Sequence, residues 1–173
     1  LGPPEEVAPR LLGWRLRTTI DGAVTELEIV EVEAYGPDDP ASHSYRGRTE
    51  RNRSMFLGPG ILYVYRSYGV HWCANVVVGP EDTGAAVLLR GGLPTVGRRE
   101  MERRRGRPDH ICDGPGRLCQ ALGITGREDG TDLLSPGRPV RLIPSPDPVP
   151  FESTIRIGIS HGADRRWRFV ATR

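Results

Sequence analysis

The chain has 173 residues, a length suited to one domain with a real core. Its 22 glycines and 16 prolines, set against 37% apolar residues, favour short strands and many turns over long helices, and no apolar run approaches the ~18 residues needed to span a bilayer. The net charge of +2 argues for no partner by itself, but all 24 basic residues are arginine, so no lysine is present to act as a Schiff-base nucleophile. The cysteines are Cys73, Cys112 and Cys119; an odd count without a C-x-x-C pair indicates neither a disulfide framework nor a cysteine zinc site. A reducing, cytoplasmic setting fits, and no signal peptide is visible.

Residues 8–17 read as the end of a short helix, or a helix running into a strand. Residues 24–35 read as a strand. Leu27 and Ile29 share a parity with Glu31 and Glu33, whereas Val30 and Val32 take the other, so the apolar face switches near residue 29. Such a switch implies a bulge or a twist, and bulges re-aim side chains near active sites. Glu31, Glu33 and Tyr35 then share one face. Residues 36–60 form a long polar loop, an uncommon feature in a compact domain and often a functional one; it carries His43 as a mobile element. Residues 61–66 and 70–78 read as two strands joined through Ser67-Tyr68-Gly69, a hairpin. A strand over 85–90 ends at Arg90. Helices are expected over 96–105 and from Arg117 to Gly123. Short strands are expected over 138–143, 154–159 and 166–171. The whole of 1–173 reads as one domain.

Several constellations point to nucleic acid. Arginines 46, 48, 51 and 53 cluster in the long loop, and six more stand in 98–107; basic clusters of this kind suit a phosphate backbone, although a solvated surface accounts for either cluster equally well. Tyr68 at a hairpin tip has little to pack against. It either folds back onto its own sheet or serves as a wedge of the type that DNA-distorting proteins insert between base steps. Tyr35, His43 and Tyr65 would together make aromatic walls for a planar purine, and a cationic purine would gain on the order of 0.5–2 kcal/mol from cation–π attraction. His43, His71, His110 and His161 show no metal-ligand spacing, so no metal is expected.

In this order along most of the chain, Leu11-Leu-Gly13, Val30-Glu-Val-Glu-Ala-Tyr35, Ala41-Ser-His-Ser44, Arg51-Asn-Arg53, Pro59-Gly-Ile-Leu-Tyr-Val-Tyr65, Tyr68-Gly69, Cys73-Ala-Asn75, Ala86-Val-Leu-Leu-Arg90, Gly114-Pro-Gly-Arg-Leu-Cys-Gln-Ala-Leu-Gly-Ile124 and Arg156-Ile-Gly-Ile-Ser-His161 resemble the alkyladenine (3-methyladenine, methylpurine) DNA glycosylase family. The resemblance implies an α+β fold, a single mixed domain with a curved antiparallel β-sheet flanked by short helices. It implies Glu33 as the general base that activates a water, with Arg90 and the backbone carbonyl of Ile157 holding that water. Tyr35, His43 and Tyr65 would stack on a flipped base, Asn75 and Leu88 would lie at the pocket floor, and Tyr68 would intercalate. It further implies a monomer without cofactor, with double-stranded DNA holding damaged purines as its partner, placed at the nucleoid if the source is bacterial. Both chain ends look clipped against the family pattern.

The expected reaction is hydrolysis of the N-glycosidic bond of an alkylated or deaminated purine, the first step of base-excision repair. The absence of lysine argues for a monofunctional enzyme that leaves an abasic site. A non-catalytic DNA-damage-binding module is the alternative; it would keep the arginines and Tyr68 and have no need of Glu33. Glu31 and Glu33 do not suit a carbohydrate glycosidase, because i and i+2 on one strand sit on the same side of a sugar whose bond the two carboxyls should flank.

Overall fold

A computed structural model describes residues 1–172 of the chain. Its organising element is β2 (Ala23–Tyr35), a 13-residue strand in a curled antiparallel sheet of eight strands. On one edge β2 pairs with β5 (Ala86–Val96). On the other edge its first half pairs with β1 (Arg15–Ile20) and its second half with β8 (Arg168–Ala171). The sheet runs β3 (Leu62–Ser67), β4 (His71–Val77), β5, β2, β1 and β6 (Val140–Ile143), and β7 (Phe151–Thr154) pairs with β8. Three short helices, α1 (Pro4–Val7), α2 (Arg98–Arg105) and α3 (Pro115–Leu122), complete the α+β fold among the described residues. No helix there is long and apolar enough to cross a membrane.

The expected face switch in β2 has a geometric origin. Ile29 pairs with Gly92, Glu31 with Gly91, and Val32 with Leu89. Val30 on β2 and Arg90 on β5 therefore fall outside the register, two bulges that compensate each other. Before them Leu27 and Ile29 enter the main core; after them Val32 and Ala34 do. Glu31, Glu33 and Tyr35 are thereby turned to the opposite face, which the rest of the site occupies.

Two strand expectations need correction. β5 does not stop at Arg90 but continues to Val96, and α2 begins only at Arg98. Gly91, Gly92 and Pro94 look like breakers in the sequence, yet the glycines are there for close approach. A Cβ at Gly92 would stand 2.5 Å from Leu27 Cδ1 and 3.0 Å from the Glu28 carbonyl. Gly92→Ala is accordingly expected to cost about 1–3 kcal/mol through overpacking, read as a lower urea midpoint with an unchanged slope. The second correction concerns 154–159. The strand there is Phe151–Thr154, and residues 155–162 form a loop. Their alternation is real but inverted: Ile155 and Ile157 are exposed and Arg156 is buried.

The long 36–60 loop is internally cross-linked by its own polar side chains. Asn52 Nδ2 donates to the carbonyls of His43 and Gly47, and Asn52 Oδ1 accepts from the Thr49 N–H. Ser42 and Ser44 hydroxyls bond each other at 2.8 Å. A 3-10 turn at Arg53–Phe56 buries Met55 and Phe56 under the sheet. Asp39, Ser42, Ser44, Asn52 and Ser54 are all buried, the polar cost being met by these bonds and by those of Ser54 to Asp129 and of Arg156 to Asp39.

Candidate active site

The antiparallel register lays the site out as a row across five strands. Tyr63 opposes Asn75, Asn75 opposes Leu88, Leu88 opposes Glu33, and Glu33 opposes Arg168. Directly opposed residues lie on one face, so residues 63, 75, 88 and 33, far apart in sequence, line up by pairing alone. The rows on either side of it bring Tyr35 opposite Ala86 and Tyr65 opposite Cys73, respectively. Over this face opens a cavity of about 680 Å³, lined among others by Tyr35, His43, Tyr65, Asn75, Leu88 and Arg90. That volume is ordinary for a small-molecule site.

Glu33 is fully buried beneath the cavity. Its Oε1 accepts from the Ile157 N–H at 2.8 Å and its Oε2 from the Tyr35 hydroxyl at 2.8 Å. Arg90 Nη1 approaches Oε2 at 3.5 Å. Each carboxylate oxygen so held keeps a further lone pair with which to accept a proton or a water hydrogen. The Ile157 backbone thus reaches Glu33 directly through its N–H, a contact beyond the one expected from the sequence, which concerned the Ile157 carbonyl. Arg90 is aimed by its bulge and fixed by Glu31, whose Oε1 accepts from Arg90 Nε at 3.0 Å and from Arg168 Nε at 2.7 Å.

The aromatic wall is a cluster rather than a pair of parallel plates. His43 meets Tyr65 edge-on, with ring centroids 4.4 Å apart and planes at 76°. Tyr63 lies behind both, its hydroxyl 2.9 Å from His43 Nδ1 and its ring 5.6 Å from Tyr65. Tyr63 shares a strand face with Tyr65, as its parity indicates, and joins the wall beside the three aromatic residues expected there from the sequence. Burial holds the Tyr35, Tyr63 and Tyr65 hydroxyls protonated well above their usual range, and for Tyr35 the Glu33 charge adds to the effect. His43 keeps part of its ring open at the cavity mouth, yet partial burial and then Arg51 lower its pKa. The wall is thus uncharged at neutral pH. Asn75 and Leu88 are buried, and the Asn75 amide donates to the Tyr63 carbonyl at 3.1 Å.

Tyr68 stands at the tip of the β3–β4 hairpin, 92% exposed. Tyr68 and Gly69 both have positive φ, 50° and 65°, at the centre of a turn that the Val70 N–H closes by donating to the Ser67 carbonyl at 3.0 Å, the backbone pattern of a primed turn. Glycine takes this conformation freely and tyrosine does not. An exposed aromatic in an unfavourable backbone conformation serves no packing purpose of the domain itself.

The two arginine clusters divide. In and after α2 four of the six guanidinium groups are paired internally: Arg98 with Glu102, Arg103 and Arg104 with Glu100, Arg107 with Asp109. Hydrogen bonding from Arg103 holds Glu100 down at about 2, and Arg104 reaches back to the carbonyls of Ile20 and Ala121. This cluster secures a helix. In the 46–53 cluster Arg48 pairs with Asp82 and Arg53 with Glu50. Arg51 lines the cavity together with Arg66 and donates to the Arg66 carbonyl at 3.0 Å. Neither Arg51 nor Arg66 has a carboxylate partner among the ion pairs of the described residues. Among those residues, no group of three or more His, Cys, Asp or Glu side chains is placed to hold a metal ion.

Comparison with known proteins places this arrangement in context. Residues 1–173 match the family described as Methylpurine-DNA glycosylase (MPG). A protein of Nitrosospira multiformis, named "Putative 3-methyladenine DNA glycosylase", is 48% identical over 166 residues, covering 95% of this chain and 83% of its own. Proteins of the same name from Agrobacterium fabrum and Mycobacterium tuberculosis are each 48% identical as well, covering 95% and 98% of this chain and 81% and 85% of their own.

Proposed function

The chain belongs to the methylpurine-DNA glycosylase family, and from that premise we propose that it flips a damaged purine out of duplex DNA and releases it by water-mediated hydrolysis, leaving an abasic site. The observation that carries this reading is Glu33, a fully buried carboxylate beneath an aromatic-walled cavity, oriented by two hydrogen bonds. Cleavage between sugar and base passes through an oxocarbenium-like state. Glu33 accepts the proton of the attacking water and its charge opposes the positive charge that grows on the sugar. Arg90 and the Ile157 carbonyl hold that water. An alkylated purine already carries positive charge and leaves readily; the neutral rings of Tyr35, His43 and Tyr65 receive it without charge repulsion.

Tyr68 fills the gap left by the flipped nucleotide, and Arg51 and Arg66 at the cavity rim take phosphates. No lysine stands in the chain, so no strand nicking through a lysine Schiff base is expected. The partner is duplex DNA bearing damaged purines, bound by a monomer.

The test is single-turnover release from duplexes holding one 1,N6-ethenoadenine or hypoxanthine, with methylated DNA in parallel, scored after alkali. Release with no borohydride-trapped adduct supports a monofunctional glycosylase. Tight lesion-dependent binding without release from any substrate supports the damage-binding module instead. Tyr68→Asn separates the wedge from the fold. Asparagine tolerates positive φ, so thermal stability is expected to hold, whereas excision from duplex is expected to fall roughly ten- to a hundredfold as the unstacking cost loses its compensation.

A further inference from the structure

Arg156 and Asp39 are both completely buried and paired through two oxygens. They are 117 residues apart in sequence. All four terminal N–H groups of Arg156 have acceptors. Nη1 donates to the Ala34 carbonyl at 2.9 Å and to Asp39 Oδ2; Nη2 donates to Asp39 Oδ1 and to the Gly162 carbonyl, each at 3.0 Å. Three segments are thereby pinned to one rigid plane. Ala34 lies between Glu33 and Tyr35 on β2. Asp39 lies in the first turn of the loop that carries His43, and its Oδ1 also accepts from the Ala41 N–H there at 3.1 Å. Arg156 itself precedes Ile157, whose N–H binds Glu33. The guanidinium also lies 4.7 Å over the Tyr35 ring and 5.4 Å from the Trp167 ring, so one face of Tyr35 is covered and its opposite face is left for a base.

We propose that the buried Arg156–Asp39 pair is the positioning device of this site: it sets the base-stacking wall, the Glu33 strand and the Ile157 segment against one another without touching the substrate. The inference rests on the glycosylase reading. A buried ion pair is a poor source of net stability compared with an apolar contact of the same volume, so its value here lies in geometry. A misplacement near 1 Å in an oriented site costs up to about a hundredfold in rate.

The experiment is single-turnover release from a 1,N6-ethenoadenine or hypoxanthine duplex with the full chain in excess, comparing wild type, Arg156→Lys, Asp39→Asn and Asp39→Glu. Titration with an abasic-analogue duplex at stoichiometric protein gives an amplitude that counts folded, DNA-competent molecules; the rate constant at saturating protein reports how the site is arranged within them. Lysine keeps the charge but cannot satisfy four acceptors in a plane, and Asp39→Glu keeps the pair while moving the anchor by one methylene. The expected result is a rate constant lowered roughly 10- to 100-fold with amplitude retained, and unchanged affinity for a duplex holding a tetrahydrofuran abasic analogue, whose binding draws on Tyr68 and the rim arginines. Should Arg156→Lys or Asp39→Asn fail to fold, Asp39→Glu decides through the same two readouts. A lowered amplitude with a wild-type rate constant would make the pair a purely structural element and overturn the proposal. Wild type inactive on every lesion would instead remove the glycosylase reading and this inference with it.

Discussion

Glu33→Gln is expected to lower single-turnover base release by about 10²- to 10⁴-fold, the range that a positioned general base supplies, while lesion-duplex binding and the fold persist. The substitution is nearly isosteric at a site with no exposure, so it opens no cavity. The amide oxygen can continue to accept from the Ile157 N–H, where Glu33 Oε1 now stands at 2.8 Å. The amide nitrogen then faces the Tyr35 hydroxyl, which today donates to Oε2. Tyr35 need only turn its hydrogen away and become an acceptor, a change within the capacity of a phenol. Arg90 loses one charged neighbour at 3.5 Å but keeps the shorter contact from its Nε to Glu31. What disappears is the negative charge and the proton-accepting oxygen. Base release at the wild-type rate by this variant would remove Glu33 from the chemistry. Loss of both release and binding would mean that the carboxylate holds the cavity open rather than acting on water.

Much of the fold and part of the site could be read from particular residues. The change of parity between Ile29 and Val32 announced a bulge or a twist in β2, because a strand with one buried face records every register slip in its sequence; that β5 carries a matching bulge at Arg90 had no local signal. Tyr68-Gly69 announced the hairpin tip through turn chemistry. Glu33, Tyr35 and Tyr65 were legible because strand periodicity fixes which residues share a face. The failures have equally physical causes. Gly91, Gly92 and Pro94 read as the end of a strand, since the sequence does not show that another strand passes close enough to exclude a Cβ. The alternation of Ile155, Ile157 and Ile159 mimicked a strand, and nothing local revealed that Arg156 was the inward residue. Its burial is conferred by Asp39, a partner that periodicity cannot pair with it. The same blindness affected the arginines. Local spacing does show that Arg98, Arg103 and Arg104 can reach Glu100 or Glu102 at helical intervals, but only the assembled fold separates those spent on the helix from Arg51 and Arg66 at the cavity.

Arg90→Met is expected to destabilise the protein by about 3 kcal/mol, the lower part of the range for breaking a buried ion pair, and Glu33→Gln is expected to restore most of that loss when the two are combined. Arg90 lies outside the β2–β5 register, so methionine there is not expected to disturb the pairing of the strands. It is largely buried, 14% exposed, and stands between Glu31 and the inaccessible Glu33. Methionine fills much of the same space, which leaves the electrostatic change as the main one. Glu31 retains Arg168 at 2.7 Å; Glu33 retains its two hydrogen bonds but no cation within ion-pair distance among the described residues. A carboxylate buried in that state carries most of the penalty, so neutralising it should relieve the penalty. Urea unfolding of the wild type, both single variants and the double variant measures the coupling directly, with equal slopes as the condition for comparing midpoints. Strong non-additivity, with the double variant more stable than Arg90→Met alone, would identify Arg90 as the group that makes a buried negative charge tolerable at this position. Simple additivity would place the stabilising role of Arg90 in its contact with Glu31, leaving Glu33 held by Tyr35 and Ile157 alone.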